Sequence, residues 1–174
     1  MFEAGISAEE AIVYGLSNGM ERVSKLYQED IYYVPGLVVC GDTMYEGLDG
    51  VLFFETLGLP LIKTDYDFPS SMEHPIKDKS ILSGLKVPDP YKDGRMPINL
   101  ESYSLISRHF DKPLAISLQG PFTLASELMG VMDLVRAIIR NPQYVTDLLN
   151  YTTEVVLTYA LAAVQAGVPM IQIF

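Results

Sequence analysis

The sequence has one cysteine, Cys40, two histidines and no tryptophan in 174 residues. A single thiol forbids an internal disulfide and suits a reducing compartment. With only His74 and His109 beside Cys40, spacing alone assembles no metal-ligand cluster. Positive charge is also scarce, with 12 Lys and Arg against 22 Asp and Glu, a net charge of −10. A nucleic-acid surface needs stripes of Lys and Arg to neutralise phosphates, and the few basic residues here are scattered, so a nucleic-acid partner is not expected. Apolar runs such as Val155 to Val164 are broken by Thr158 and Tyr159 and lack the length of a membrane span. No signal sequence precedes Glu3, which makes a cytoplasmic address the expectation. What is present is material for a core: 49% of residues are hydrophobic, the mean hydropathy is +0.20, and no low-complexity tract interrupts them.

The chain is organised around Leu114 to Glu127, LAISLQGPFTLASE. Leu114, Ile116 and Leu118 alternate with small residues and lead into Gln119-Gly120-Pro121, the pattern of a buried parallel strand with a polar residue at its carboxyl edge. In α/β folds ligands bind at that edge. After the Gly-Pro turn a helix is predicted from Phe122 to Met129, closed by Gly130, and another from Met132 to Ile139. Asn141-Pro142 is an N-cap followed by proline at the first helical position, and predicts a helix to Ala166. Its stripe is Val145, Leu148, Leu149, Thr152, Val156, Tyr159 and Ala163, and Gly167 caps it. Val168 to Phe174 reads as a second buried strand, parallel to the first through a right-handed crossover.

Upstream, Ser7-Ala8-Glu9-Glu10 is a capping box that starts a helix running to about Asp30. Pro35 then fits the first turn of a second helix, with Leu37, Val38, Cys40, Gly41, Met44 and Leu48 on its apolar face. From Val51 the composition changes. A helix ending at Gly58 is expected, then an irregular, proline-rich connection, a short helix from Lys77 to Leu85, and an amphipathic helix from Ile98 to Phe110. His74 precedes a proline on the polar connection and reads as a solvated or capping histidine.

Residues 1–50 resemble the helical cap that precedes the cobalamin-binding domain of methionine synthase and of corrinoid proteins. The matching residues are Gly19-Met20-Glu21-Arg22-Val23, Tyr27, Tyr33-Val34-Pro35, Met44 and Gly47-Leu48. The resemblance implies that Tyr33, Leu37 and Met44 line a lid over a corrinoid. Read from the residues alone, the same three are the core of a helical hairpin.

Residues 51–174 resemble the uroporphyrinogen decarboxylase superfamily, and within it the branch of methylcobamide:coenzyme M methyltransferases. The motifs are Leu85-Lys86-Val87-Pro88-Asp89-Pro90, Asp93-Gly94-Arg95-Met96-Pro97, Gly120-Pro121-Phe122-Thr123-Leu124-Ala125, and Ala166-Gly167-Val168 with Ile171-Gln172-Ile173-Phe174. The fold this implies is an α/β, TIM-type (β/α) barrel, here incomplete and preceded by the N-terminal α-helical module, because a full barrel needs about 250 residues. Decarboxylase activity is disfavoured: Glu127 stands where decarboxylases carry a tyrosine, and too few basic groups are present to hold a multiply carboxylated tetrapyrrole.

The activity implied by the resemblance is methyl transfer from a methylcobamide, carried on a partner corrinoid protein, to a small thiol such as coenzyme M. In that branch zinc activates the thiol, through ligands expected only in a full-length relative, so no metal ligand and no catalytic residue is assigned here. The chain is expected to be inactive without the missing barrel half. The alternatives are a non-catalytic module that docks a corrinoid protein, and a degenerate fragment. Candidate substrate-binding residues are Gln119 and Gln172 at strand ends and Glu127 on the following helix. Gln172 interrupts an apolar strand and must be hydrogen-bonded, either to a ligand or inside the barrel. For Glu127 the residues alone favour a solvated helix face. A sheet edge left open after Phe174 predicts self-association.

Overall fold

The computed structural model describes residues 37–40, 43–46, 52–59, 61–62, 70–71, 74–76, 79–109 and 113–174. The capping box at Ser7, the helix predicted to follow it, and Tyr33 lie outside the described residues. The chain divides into two compact units, each made of segments distant in sequence.

The first unit holds residues 1–49, 97–118 and 161–172. Strands β1 (Leu37–Cys40) and β2 (Thr43–Glu46) pair antiparallel, with Leu37 opposite Glu46 and Val39 opposite Met44. This corrects the helix predicted over Leu37 to Leu48. Val38, Val39, Thr43 and Tyr45 are β-branched or aromatic and Gly41-Asp42 is turn chemistry, so the segment can form a hairpin as well as a helix, and pairing with a strand distant in sequence favours the hairpin. β2 pairs parallel with β5 (Leu114–Leu118), Met44 opposite Leu114 and Tyr45 opposite Ala115. β6 (Met170–Ile173) completes the sheet, whose order is β1-β2-β5-β6.

As a central strand β5 is covered on both faces: Leu114, Ala115, Ile116 and Leu118 are all buried. The helix at Met96–His109 buries Leu100, Tyr103 and Ile106 at helical spacing. Its Ser107 hydroxyl donates to the carbonyl of Gly167 at 2.9 Å. Gly167 has φ 100°, and a Cβ there would lie 3.0 Å from the Ser107 side chain. The amides of Gly167 and Val168 return to the carbonyls of Val164 and Ala163. That is a Schellman closure, and it fits the glycine expected to cap this helix.

The second unit holds residues 50–96, 119–160 and 173–174. Its helices are α1 (Leu52–Thr56), α2 (Lys79–Gly84), α4 (Pro121–Met129), α5 (Val131–Arg140) and most of α6 (Pro142–Gln165), the helix from Met96 being α3. A two-stranded ribbon, β3 (Leu61–Ile62) with β4 (Ser70–Ser71), occupies the connection expected to be irregular. The Asn141 side chain accepts from the amide of Tyr144, as an N-cap should. Along α6, Val145, Leu148, Thr152, Val155, Val156 and Tyr159 are buried. The Tyr159 ring meets Phe53 of α1 edge to face, centroids 5.6 Å apart and planes at 85°. No helix among the described residues is long and apolar enough to cross a membrane.

β6 departs from expectation in its burial. Predicted as a buried strand, it is half-buried only at Ile171, and Met170, Gln172 and Ile173 are exposed. Among the described residues, the sheet order places β5 on one side of it and no strand on the other.

Candidate functional site

The carboxyl end of β5 is built around a glycine. Gly120 is the N-cap of α4, in extended conformation and with no side chain to offer, and Pro121 takes the first helical position. The Gly120 amide donates to the carbonyl of Phe174 at 2.7 Å. The Thr123 hydroxyl donates to the same oxygen at 3.2 Å. The carboxyl ends of β5 and β6 therefore meet, and the two neighbouring strands run the same way, as the sequence predicted. A Cβ at position 120 would stand 2.9 Å from the Phe174 oxygen. Only glycine lets the two chain segments approach this closely.

Gln119, immediately before that junction, is 7% exposed. It lies at the carboxyl edge of a parallel strand, where the sequence placed it. Gln172 is exposed within β6, so the hydrogen bond required of a buried glutamine is not required of it. Glu127 is half-buried on α4, and its main-chain oxygen accepts from His74 Nδ1 at 2.7 Å. Six residues separate Glu127 from Pro121, about 9 Å along the helix. Leu37 and Met44 sit on the two strands of the N-terminal hairpin rather than on a helix.

What the structure brings together at the two ends of α4 are Gly120, Thr123 and Phe174 at one, and His74, Ile76, Glu127 and Gly130 at the other. The Ile76 amide donates to the carbonyl of Leu128. His74 and Ile76 thus occupy two of the carbonyls that a helix leaves open in its last turn. His74 is a capping histidine, one of the two readings its sequence context allowed. Thr123 was not foreseen. A threonine three residues after the N-cap is the signal that could have suggested it, since its hydroxyl can reach past the helix end.

The motif around Asp89 is a self-bonded loop. Asp93 accepts from the Asp89 amide at 2.8 Å, and Asp89 accepts from the Tyr91 amide at 3.0 Å. Lys92 donates to Asp89 at 2.6 Å. That bond and the Tyr91 amide hold the Asp89 carboxyl below its usual range. Gly94 (φ 55°) closes the turn so tightly that a Cβ would lie 2.5 Å from Thr56 Oγ1. The Tyr151 hydroxyl donates to the carbonyl of Lys86 at 3.2 Å. Burial pushes this phenol up to about 12. Among the described residues no three His, Cys, Asp or Glu side chains come together to hold a metal ion.

The uroporphyrinogen decarboxylase family model matches residues 43–174, about three quarters of the chain. The chain belongs to the uroporphyrinogen decarboxylase family. A B12 binding domain model matches residues 1–51. Both resemblances drawn from the sequence are borne out by these matches.

The family member is similar to the methylcobamide:CoM methyltransferase MtaA of Methanosarcina barkeri. It is 33% identical over 95 residues, covering 53% of this chain and 28% of the relative. The enzyme of the same name from Methanosarcina barkeri strain Fusaro is 32% identical over an alignment of the same coverage. A methyltransferase structure from Methanosarcina mazei superposes with a TM-score of 0.67 at 27% identity, covering 87% of this chain and 43% of the other. The family member thus spans between about a quarter and a half of the length of the relatives it matches.

Proposed function

We propose that the chain takes part in methyl transfer from a methylcobamide, held on a corrinoid protein, to a thiol such as coenzyme M. The reading is carried by one observation: a match to a B12 binding domain and a match to a family containing methylcobamide:CoM methyltransferases occur in the same chain. In the reaction the cobalt–carbon bond breaks with its electron pair left on cobalt, the carbon–sulfur bond forms, and the thiol proton goes to solvent. Tyr33, Leu37 and Met44 are proposed to contact the corrinoid. Gln119, Glu127 and Gln172 are proposed to contact the acceptor or the docked cofactor. Self-association of the chain is proposed as well.

The test is to mix the purified chain with a methylated corrinoid protein, with and without coenzyme M, and follow the cobalt absorption bands. Thiol-dependent loss of the methylcobamide spectrum, weakened by Gln119→Ala, would support the enzymatic reading. A spectrum that stays unchanged while the two proteins form a complex would favour the non-catalytic docking module. An unchanged spectrum with no complex would overturn both readings.

A further inference from the structure

Asp93-Gly94 carries covalent chemistry of its own. Glycine has no Cβ to shield its amide nitrogen, which can therefore attack the side-chain carboxyl carbon of a preceding aspartate and close a cyclic imide. In the folded chain the Asp93 carboxylate is drawn the other way, its Oδ2 accepting from the Asp89 amide at 2.8 Å. The Asp93 main chain is held too. Its amide donates to the Asp89 carbonyl at 2.9 Å, and its carbonyl accepts from the Met96 amide at 3.3 Å. Asp89 is itself fixed by the Tyr91 amide at 3.0 Å and the Lys92 ammonium at 2.6 Å. Both Asp93 and Gly94 are exposed, so water reaches them.

We propose that Asp93-Gly94 is a site of spontaneous covalent modification, converting to isoaspartate through a cyclic imide at a rate set by opening of the Asp89 loop. The Asp93 carboxyl, in its acid form, gives up its hydroxyl with the Gly94 amide hydrogen as water, and a bond forms from the Gly94 nitrogen to Asp93 Cγ. Water then adds at one of the two imide carbonyls. Breaking the bond from nitrogen to Cγ restores aspartate. Breaking the bond from nitrogen to the main-chain carbon leaves the chain running through Cβ and Cγ, with a free α-carboxylate. One water leaves and one enters, so the mass is unchanged and no oxidant or cofactor takes part. The site is independent of the methyl-transfer reading.

Ring closure requires the Asp93 side chain to swing away from the Asp89 amide, so the 2.8 Å bond must break first. One net hydrogen bond lowers the open fraction about fivefold. Conversion also takes away what the turn supplies: the carbonyl used by the Met96 amide becomes part of a carboxylate off the main chain, and the backbone gains a methylene. Gly94 sits against Thr56, where a Cβ would lie 2.5 Å from the hydroxyl oxygen, so the added length cannot be taken up there.

The test is to age the full chain at neutral pH, folded or in urea, and to measure isoaspartate at position 93 by electron-transfer mass spectrometry of its peptides. Isoaspartate should accumulate at 93 in the folded chain, at least about fivefold more slowly than in urea. In urea its rate should match that of Asp49-Gly50, the same dipeptide elsewhere in the chain. Asp89→Ala removes the acceptor of the Tyr91 amide and of Lys92, and should speed conversion in the folded chain at least about fivefold with circular dichroism unchanged. Should that variant misfold, the folded and urea rates of the unsubstituted chain decide. No isoaspartate at 93 in the folded chain, equal rates folded and in urea, or an unchanged rate in folded Asp89→Ala would each overturn the proposal. Failure of the cobalt assay leaves this outcome untouched, because imide formation does not depend on methyl transfer.

Discussion

His74 donates through Nδ1 to the main-chain oxygen of Glu127, 2.7 Å away, and so closes a helix that begins 47 residues after it in the sequence. Because a carbonyl only accepts, Nδ1 must carry the proton. His74→Ala leaves a half-buried carbonyl without its donor and should cost about 1–2 kcal/mol in urea unfolding. His74→Asn keeps a donor near the position of Nδ1 and should recover part of the loss. Equal stability of the two variants would mean that ring packing, not the hydrogen bond, is the stabilising contact.

Gly130, between α4 and α5, has φ 89°, and a Cβ there would lie 2.9 Å from the His74 ring. Gly130→Ala should destabilise by roughly 1–2 kcal/mol from backbone strain, with the clash added. In the double variant with His74→Ala the clash is relieved and the strain is not. The two substitutions should therefore cost less together than the sum of their separate effects, which a double-mutant cycle measures.

Gly120→Ala is expected to open the junction between β5 and β6, because the new methyl meets a main-chain oxygen that cannot rotate away. Exchange at the amide of position 120 should accelerate strongly. Thr123→Val removes only the second, longer bond to that oxygen, and should cost about 0.5–1.5 kcal/mol. A Gly120→Ala variant with unchanged exchange would mean that the two strand ends can separate without cost.

Tyr151 gives a dependence at alkaline pH. Burial raises its folded-state pKa to about 12, above the value of about 10 for an unhindered phenol. The folded state thus holds the phenol proton more tightly than the unfolded chain. This contribution to stability is fully present below about pH 10 and is lost as the pH rises towards about 12. Tyr151→Phe should flatten the fall in stability over that window, as read from denaturant midpoints at a series of pH values.

Much of the second half of the chain was legible. Asn141-Pro142, Gly130, Gly167 and the alternation in Leu114 to Leu118 are local signals whose physics acts over a few residues, and the structure follows them closely. The errors fall where the deciding term is not local. Leu37 to Leu48 has helical spacing and β-forming residues at once, and the pairing of β2 with distant β5 favours the strand. The apolar run at Met170 to Phe174 says strand, but burial on both faces depends on neighbours the sequence does not name. For the site, the Gly-Pro turn placed Gln119 correctly at a strand end. The shared acceptor at Phe174, some fifty residues from its two donors, had no signature to read.

The edge-to-face contact between Phe53 and Tyr159 has an optical consequence. With no tryptophan in the chain, the near-ultraviolet dichroism arises from tyrosine and phenylalanine, and the immobilised ring of Tyr159 should contribute strongly to it. Its fading on heating would report loosening of the Phe53 contact while far-ultraviolet helicity persists. Beyond 300 nm the polypeptide is transparent, so a bound corrinoid could be watched in a window free of protein absorption.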